Sequence, residues 1–169
     1  ATSGVGTSQH LAGLLLGNME KIPLTHVAYR GGAPALTDVV GGQIDSGILV
    51  LSNTLPYIQN GKLRALGVVE NHRSKSAPDV PTLAESGITG FAIPDTWVGI
   101  LGPAGMPAAV VQRLNGAISG ALKNADVRAQ LQKGGYEIVD STAEAFTAQL
   151  SESVQFYQTI VKDAGVTPE

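Results

Sequence analysis

The sequence of 169 residues contains no cysteine, which excludes disulfide bonds, thiolate chemistry and cysteine-ligated metal sites. Its three histidines, His10, His26 and His72, lie far apart and form neither an HxxxH nor an HExxH pattern. A histidine metal site is therefore not expected. No apolar run is as long as a membrane span. From these absences we expect no metal and no cofactor.

Charge is also scarce, because charged residues make up only 15% of the chain and the net charge is -3. The 11 basic residues are scattered, whereas binding of nucleic acid needs grouped lysine and arginine to neutralise phosphates. No nucleic-acid partner is expected. Hydrophobic residues amount to 43% and the mean hydropathy is +0.13, so the chain can build a packed core.

Hydrophobic periodicity predicts alternating helices and strands in the first part of the chain. Strands are predicted at 24–29, 43–51 and 63–69, and helices at about 7–18, from Pro34 to Val40, and at 55–59. Strand, turn, helix and strand again are typical of an open α/β sheet, mixed or parallel, flanked by helices.

The second part of the chain is predicted to be mainly helical. One helix should run from Pro107 to about Lys123, and a second should follow an Asn124 cap and end at Gly134. A short strand is predicted at 136–139. Ser141 then begins a capping-box pattern, which predicts a final helix with Phe146 and its apolar successors facing a core.

A glycine-rich turn, Ser3-Gly4-Val5-Gly6-Thr7-Ser8, precedes the first predicted helix. Glycine lets a backbone approach a ligand closely, and the first N–H groups of a helix have no partner within it. Thr7 and Ser8 are suited to capping, and their hydroxyls can also bond a guest. The turn therefore predicts a site for a carboxylate or phosphate.

Two further polar turns are expected beside this one. Ligands of open α/β sheets bind outside the carboxyl ends of the strands. Those ends are predicted at residues 3–7, 29–32 and 52–54, so three polar or glycine-rich turns should meet at one edge. Trp97 lies in an extended stretch, and its sequence leaves open whether it belongs to a core or to a pocket.

The ordered motifs of the chain resemble those of the Bug proteins, the solute receptors of tripartite tricarboxylate transporters. Residues 3–13, SGVGTSQHLAG, are similar to the family's SxGxGTxxHLAG, and residues 26–35, HVAYRGGAPA, to its HVPYKGxxPA. Later signposts follow in the same order: GGQID at 41–45, GKLRAL at 61–66, DVPT at 79–82, GPAGMP at 102–107 and AGV at 164–166. The resemblance covers essentially the whole chain.

The resemblance implies a periplasmic binding protein of type II, in which two α/β lobes close on a small carboxylated solute. Residues 1–120 would form the second ligand-binding lobe, and residues 121–169 would be C-terminal elements that pack on an N-terminal lobe. That lobe is expected to be missing from this chain, which begins abruptly on its glycine turn. The implied partners are a small organic carboxylate and the membrane subunits of the transporter, and the implied location is the periplasm.

The resemblance also assigns a ligand-binding site. The carboxylate loop maps onto Ser3, Gly4, Gly6, Thr7 and Ser8, with Tyr29, Arg30 and Gly31 as the neighbouring wall. Ser52 and Asn53 occupy a position that varies among relatives and would tune specificity. Asp95, Thr96 and Trp97 lie where the chain crosses between lobes. His10 matches the motif, but its place one turn into the helix favours a structural, loop-bracing role.

Other functions receive less support from the residues. A serine hydrolase could use Ser8 or Ser3 with His10, but Ser8 and His10 do not share a helix face and no GxSxG elbow is present. An effector domain of a transcription regulator would share the bilobed fold, but no DNA-binding helix pair is evident. A dinucleotide site lacks its third glycine and a suitably placed acid. We therefore expect a receptor and no catalytic residues.

Overall fold

The computed structural model describes residues 1–91 and 93–163, and six α-helices lie in this part of the chain. They are α1 (Ser8–Glu20), α2 (Gly32–Val40), α3 (Leu51–Gln59), α4 (Ala108–Lys123), α5 (Ala125–Lys133) and α6 (Ala143–Asp163). Ala92, in the stretch predicted to be extended, and the AGV signpost at 164–166 lie outside the described residues, as does the end of the expected C-terminal segment.

Two predicted helix caps are confirmed. The side chain of Thr7 accepts a hydrogen bond from the backbone of His10 at the start of α1. Asn124 does the same for the first turn of α5, with Asp126 and Val127 as donors. The α1 helix ends later than predicted, where Lys21 takes a left-handed conformation with φ of +54° and donates its N–H to the Gly17 carbonyl.

Three predicted helix starts are wrong by one to four residues. The α2 helix begins at Gly32, so Pro34 lies third in it, where a missing N–H costs nothing. The predicted polar turn 52–54 is the first turn of α3, which begins at Leu51. The cap of α6 is Thr142, whose hydroxyl accepts from Ala145 N, rather than Ser141. Ser, Thr and Asn favour both turns and helix starts, so composition alone does not separate the two.

The predicted strands pair more briefly than expected. The described residues form three isolated parallel bridges, Thr2 with Ala28, Val68 with Thr82, and Glu70 with Ile93. Residues 1–3 lie between two segments: Gly31 N donates to Ser3 O on one side, and Ile48 N donates to Ala1 O on the other. Because only residues 1–3 lie between these segments, few backbone N–H and C=O groups are available for strand pairing on either side. Residues 136–139 form no strand.

The chain divides into two units. Unit 1 comprises Ala1–Thr96 and the chain from Phe156 onward, and unit 2 comprises Trp97–Gln155. The core of unit 1 is built on Ala12, Phe91 and Ile93. The partly buried hydrophobic residues packed against this cluster are Leu15, Leu16, Ile48, Val69, Leu83, Ile88 and Phe156.

Unit 2 has a different distribution of apolar residues. Neither α4 nor α5 contains a buried residue. Within the unit, Trp97 packs edge-on against Phe146 with ring centroids 5.0 Å apart, and its indole N–H donates to Ser153 Oγ. Large apolar side chains that remain exposed are Val98, Ile100, Leu101, Val110, Leu114, Val127, Tyr136, Val139 and Val154. The apolar stripes predicted for this region are therefore present, but most of their large side chains remain exposed.

Replacing the same residue type at a buried and at an exposed position tests this description of the core. Ile93, 3% exposed, sits in the core of unit 1, whereas Ile100 is 73% exposed. We expect Ile93→Ala to lower the free energy of unfolding by about 2–5 kcal/mol, because it leaves a cavity. Ile100→Ala should change it by less than about 0.5 kcal/mol. Urea unfolding followed by far-ultraviolet circular dichroism checks both values, and equal losses would contradict the assigned core.

Candidate functional site

The glycine turn has a backbone conformation with positive φ that residues with a Cβ atom rarely adopt. Gly4 and Gly6 have φ of +146° and +72°. A Cβ atom at Gly4 would lie 3.3 Å from the Tyr29 carbonyl oxygen, so the turn passes close to the neighbouring segment. The two glycines therefore set the path by which residues 1–3 lead into α1.

The Thr7 hydroxyl of this turn is engaged within the protein. Thr7 Oγ1 donates to the Gly4 carbonyl at 2.8 Å while it accepts from His10 N. Donation to a solute by the Thr7 and Ser8 hydroxyls stays a prediction. The backbone N–H groups of the first turn of α1 are further donors, because the helix leaves them unpaired.

Two stacked histidines brace the turn from beneath. The rings of His10 and His26 lie 3.9 Å apart and 15° from parallel. Gly6 N donates to His10 Nδ1 at 3.1 Å, and His26 Nε2 lies 2.6 Å from Thr2 Oγ1. Because His10 Nδ1 accepts a hydrogen bond from the backbone, that nitrogen must be unprotonated. The predicted loop-bracing role of His10 is confirmed.

The second predicted turn lies beside the first. Tyr29 N donates to Thr2 O, and Gly31, with φ of +109°, donates to Ser3 O. The Tyr29 hydroxyl donates to Asp38 Oδ2 at 2.6 Å, which fixes this turn to α2 and raises the pKa of Tyr29. Arg30 is exposed, and no ion pair involves it in the part of the chain that the structure describes. Tyr29 therefore acts as a brace, and Arg30 as an available cation.

The third group, at the start of α3, meets the second at Gly32. A Cβ atom at Gly32 would lie 3.3 Å from Asn53 Nδ2 and 3.9 Å from Ser3 Oγ. Ser52 Oγ is buried and has no hydrogen-bond partner among the described residues. The structure therefore brings Ser3, Gly32 and Asn53 together, and Gly32 was not among the predicted site residues. Its position in the second glycine turn, directly after Gly31 and two residues before Pro34, is the sequence signal that could have identified it.

Three helices begin around this position, and none of α1, α2 and α3 has an acidic residue in its first turn. Helix N-termini carry a partial positive charge, which favours an anion. The Ser3 hydroxyl and the Asn53 amide lie beside Gly32, and Arg30 precedes Gly32 by two residues in the chain, so these residues offer several hydrogen-bond donors. We refer to this group, residues 3–8, 30–32, 52 and 53, as the donor cluster.

The third part of the predicted site is arranged differently. Asp95 Oδ2 lies 3.2 Å from His72 Nε2, and both side chains are more than half exposed. Thr96 is exposed. Trp97 belongs to unit 2, where it contacts Phe146 and Ser153. The contacts of Asp95 and Trp97 are thus with residues outside the donor cluster.

Sequence reasoning missed one residue that supports the cluster. The Asp38 carboxylate accepts the hydrogen bond of the Tyr29 hydroxyl, and the sequence analysis gave Asp38 no role. In residues 1–91 and 93–163, no group of three or more metal-ligating side chains comes together, and no helix has the length and apolarity of a membrane span.

Comparison with known proteins places this geometry in context. Residues 1–166 match the family profile described as tripartite tricarboxylate transporter family receptor. A UPF0065 protein from the tcbD-tcbE intergenic region of Pseudomonas sp. is 36% identical over 162 residues, which are 95% of this chain and 48% of that protein.

Solved structures show the same similarity. The periplasmic binding protein BugD matches with a TM-score of 0.87 and 30% identity, over 99% of this chain and 57% of its own. MatC (Rpa3494) from Rhodopseudomonas palustris with bound malate matches with a TM-score of 0.82 and 34% identity, over 94% of this chain and 54% of its own. The fold is therefore that of a periplasmic binding protein, and the chain spans about half the length of these relatives.

The stacked histidines predict a loss of stability in acid. Burial lowers the pKa of His10 below 6.5, and burial, followed by the charges of His10 and the N-terminal amine, lowers the pKa of His26. As the pH is lowered, the unfolded chain therefore binds protons at a higher pH than the folded chain does. The free energy of unfolding is consequently highest above pH 6.5 and decreases as the pH drops below it. Urea unfolding at pH 7.5 and at pH 5 measures this loss.

Two variants test whether the stacked histidines cause this loss of stability in acid. His26→Gln removes one of the two titrating rings, so its stability should fall less between the two pH values than that of the parent chain. His72→Gln alters an exposed histidine outside the stack and should leave the loss in place. Equal pH dependence in the parent and in His26→Gln would contradict this assignment.

Proposed function

The chain belongs to the tripartite tricarboxylate transporter receptor family, and we propose that it forms the carboxylate-binding part of a periplasmic solute receptor. Its solute is a small organic carboxylate, and it delivers that solute to the membrane subunits of a tripartite tricarboxylate transporter. The observation that carries the proposal is the meeting of Ser3, Gly32 and Asn53 at three helix starts that lack acidic residues.

The chemistry of the donor cluster suits a carboxylate better than a cation or a neutral molecule. Backbone N–H groups at helix starts, one hydroxyl, one amide and one guanidinium are all hydrogen-bond donors, and Arg30 adds a full positive charge. The related MatC protein was solved with malate, a carboxylate, bound to it. The same class of solute is therefore our proposal for this chain.

The exposed apolar side chains of unit 2 support a second part of the proposal. We infer that residues 121–169 pack on a further lobe of the whole receptor, while residues 1–120 supply the second ligand-binding lobe. The relatives named above are about twice as long as this chain, and α4 and α5 have no buried residue here. Apolar faces of this extent are usually covered by another part of the protein.

A serine hydrolase receives no support from these contacts. His10 Nδ1 accepts the Gly6 N–H while the His10 ring stacks on His26, so His10 is engaged away from Ser8. A nucleophile and its base must be within hydrogen-bonding reach of each other. The solved relatives named above are binding proteins, and a receptor role fits the cluster.

Filling the cluster with one methyl group tests the proposed solute site. Gly32→Ala places a methyl between Ser3 Oγ and Asn53 Nδ2, and we expect it to weaken malate binding about tenfold, the loss of one charge-assisted hydrogen bond. Gly116→Ala is a matched control, because a Cβ atom there meets nothing within 4 Å. Amide chemical shifts in a malate titration measure both affinities.

The diamide of malate, which has a similar shape and no charge, is the ligand control for the same titration. It should cause no saturable shifts at the donor cluster. Equal binding of malate to the Gly32 and Gly116 variants, or equal binding of malate and its diamide, would contradict the proposal.

Binding to the chain as it stands should be weak. Three charge-assisted hydrogen bonds give a gross gain of about 5–9 kcal/mol. Association costs about 4–15 kcal/mol. We therefore expect a Kd for malate of about 1 mM or weaker, equivalent to about -4 kcal/mol. Titration calorimetry that gave a low-micromolar Kd would contradict this expectation and show that the chain binds malate tightly without a further lobe.

A further inference from the structure

The two glycines of the glycine turn are held by two different side chains. Gly4 N donates to Thr2 Oγ1 at 3.3 Å, and Gly6 N donates to His10 Nδ1 at 3.1 Å. Both glycines have positive φ, and glycine has little conformational preference of its own to keep it there. The path of the backbone into α1 therefore depends on these two hydrogen bonds.

His26 contacts both of the side chains that hold the glycines. Its Nε2 lies 2.6 Å from Thr2 Oγ1, and its ring stacks on the His10 ring with centroids 3.9 Å apart. Thr2 and His10 are buried, so little water competes with these contacts. One side chain from the segment before Tyr29 thus touches the supports of both Gly4 and Gly6.

The contacts of the Thr2 hydroxyl assign the proton of His26. This hydroxyl has one hydrogen, and Thr2 Oγ1 lies at hydrogen-bonding distance from His26 Nε2, Gly4 N and Gly4 O. All three hydrogen bonds form at once only when His26 Nε2 carries a hydrogen: the hydroxyl then accepts from His26 and from Gly4 N, and it donates to Gly4 O. Both rings are neutral at pH 7.5, because burial lowers the pKa of each below 6.5. His26 is therefore the Nε2–H tautomer.

The turn determines where the first N–H groups of α1 point. Thr7, the cap of α1, follows Gly6 directly, and its hydroxyl donates to the Gly4 carbonyl. The N–H groups of the first helical turn have no partner within the helix, and they belong to the donor cluster. A turn that is held in place before the solute arrives lowers the ordering cost of binding.

We propose that His26 is a positioning residue for the solute site: it donates a hydrogen bond to Thr2, which holds Gly4, and stacks on His10, which holds Gly6, and so keeps the glycine turn in the geometry that receives a carboxylate. The effect on the turn needs no solute. The effect on affinity rests on the proposed function.

Amide hydrogen exchange without ligand tests the effect on the turn, with the amides of Gly4 and Gly6 as reporters. His26→Phe keeps a ring that can stack and removes Nε2, so exchange should quicken about three- to tenfold at Gly4 and less at Gly6. His26→Gln keeps a polar group and removes the ring, so the larger increase should be at Gly6. A general loss of stability would affect both amides alike in both variants.

His72→Gln, at an exposed histidine outside the stack, is the matched control and should leave both exchange rates unchanged. Rates that do not change in the His26 variants, or that change equally at Gly4 and Gly6 in both, would overturn the proposal.

The nitrogen chemical shifts of the His26 ring at pH 7.5 test the assigned hydrogen bond. We expect a protonated Nε2 and an unprotonated Nδ1. A ring that carries its hydrogen on Nδ1 could not donate to Thr2 and would contradict the proposed contact.

A double-mutant cycle with malate tests the effect on affinity. Thr2→Val keeps the shape of the side chain and removes the hydroxyl. Thr2→Val and His26→Phe should each weaken malate binding about threefold or more. The double variant should bind about as weakly as Thr2→Val alone, because both changes remove the same hydrogen bond. Losses that add, or single variants that bind like the parent chain, would contradict the positioning role.

The experiments separate the two proposals. If malate produces no saturable shifts in the parent chain while the exchange rates respond as expected, the proposed solute fails and the positioning of the turn stands. If malate binds and the exchange rates do not respond, the receptor function stands and the role of His26 is refuted.

Discussion

The donor cluster depends on the pairing of three residues. Residues 1–3 bond to the backbone of residues 27–31 on one side and to residues 46–48 on the other. The chain leaves each of these segments toward the start of a helix, α1, α2 or α3. Because parallel segments end at the same edge, their pairing brings the three helix starts together, and no long-range side-chain contact is needed to do so. The site is in this sense a property of the backbone.

Side chains then keep the backbone in this arrangement. Thr2, Thr7, His10 and His26 form a network of hydrogen bonds and ring contact below the glycine turn, and most of its polar atoms are at least partly buried. Hydrogen bonds inside such a network are strong because little water competes for them. The turn contains two glycines at positive φ, and such a backbone has many alternative conformations in the absence of bracing. The side chains of Thr2, His10 and His26 are therefore already engaged in supporting the turn, and we do not expect them to form hydrogen bonds with a solute.

Local patterns predicted much of this arrangement. The Thr7 and Asn124 caps, the α4 and α5 bounds and the meeting of glycine turns follow from rules that act within a few residues. Ser52 and Asn53 were placed in a turn before α3 because serine and asparagine suit a turn and a helix start equally. The strands were predicted longer than they are, because strand propensity describes a residue's fit to a sheet and the available partners decide the pairing. Contacts between distant parts of the chain, such as that of Phe156 with the core cluster that includes Ala12, leave no trace in local patterns.

The surroundings of Trp97 have a practical consequence for spectroscopy. It is the only tryptophan of the chain, and its indole N–H and ring are both held within unit 2. Its emission spectrum therefore depends on the surroundings of one unit, while the amide signal of the peptide backbone comes from all helices. A difference between the two optical signals during denaturation would reveal that the units melt separately, without any label being attached.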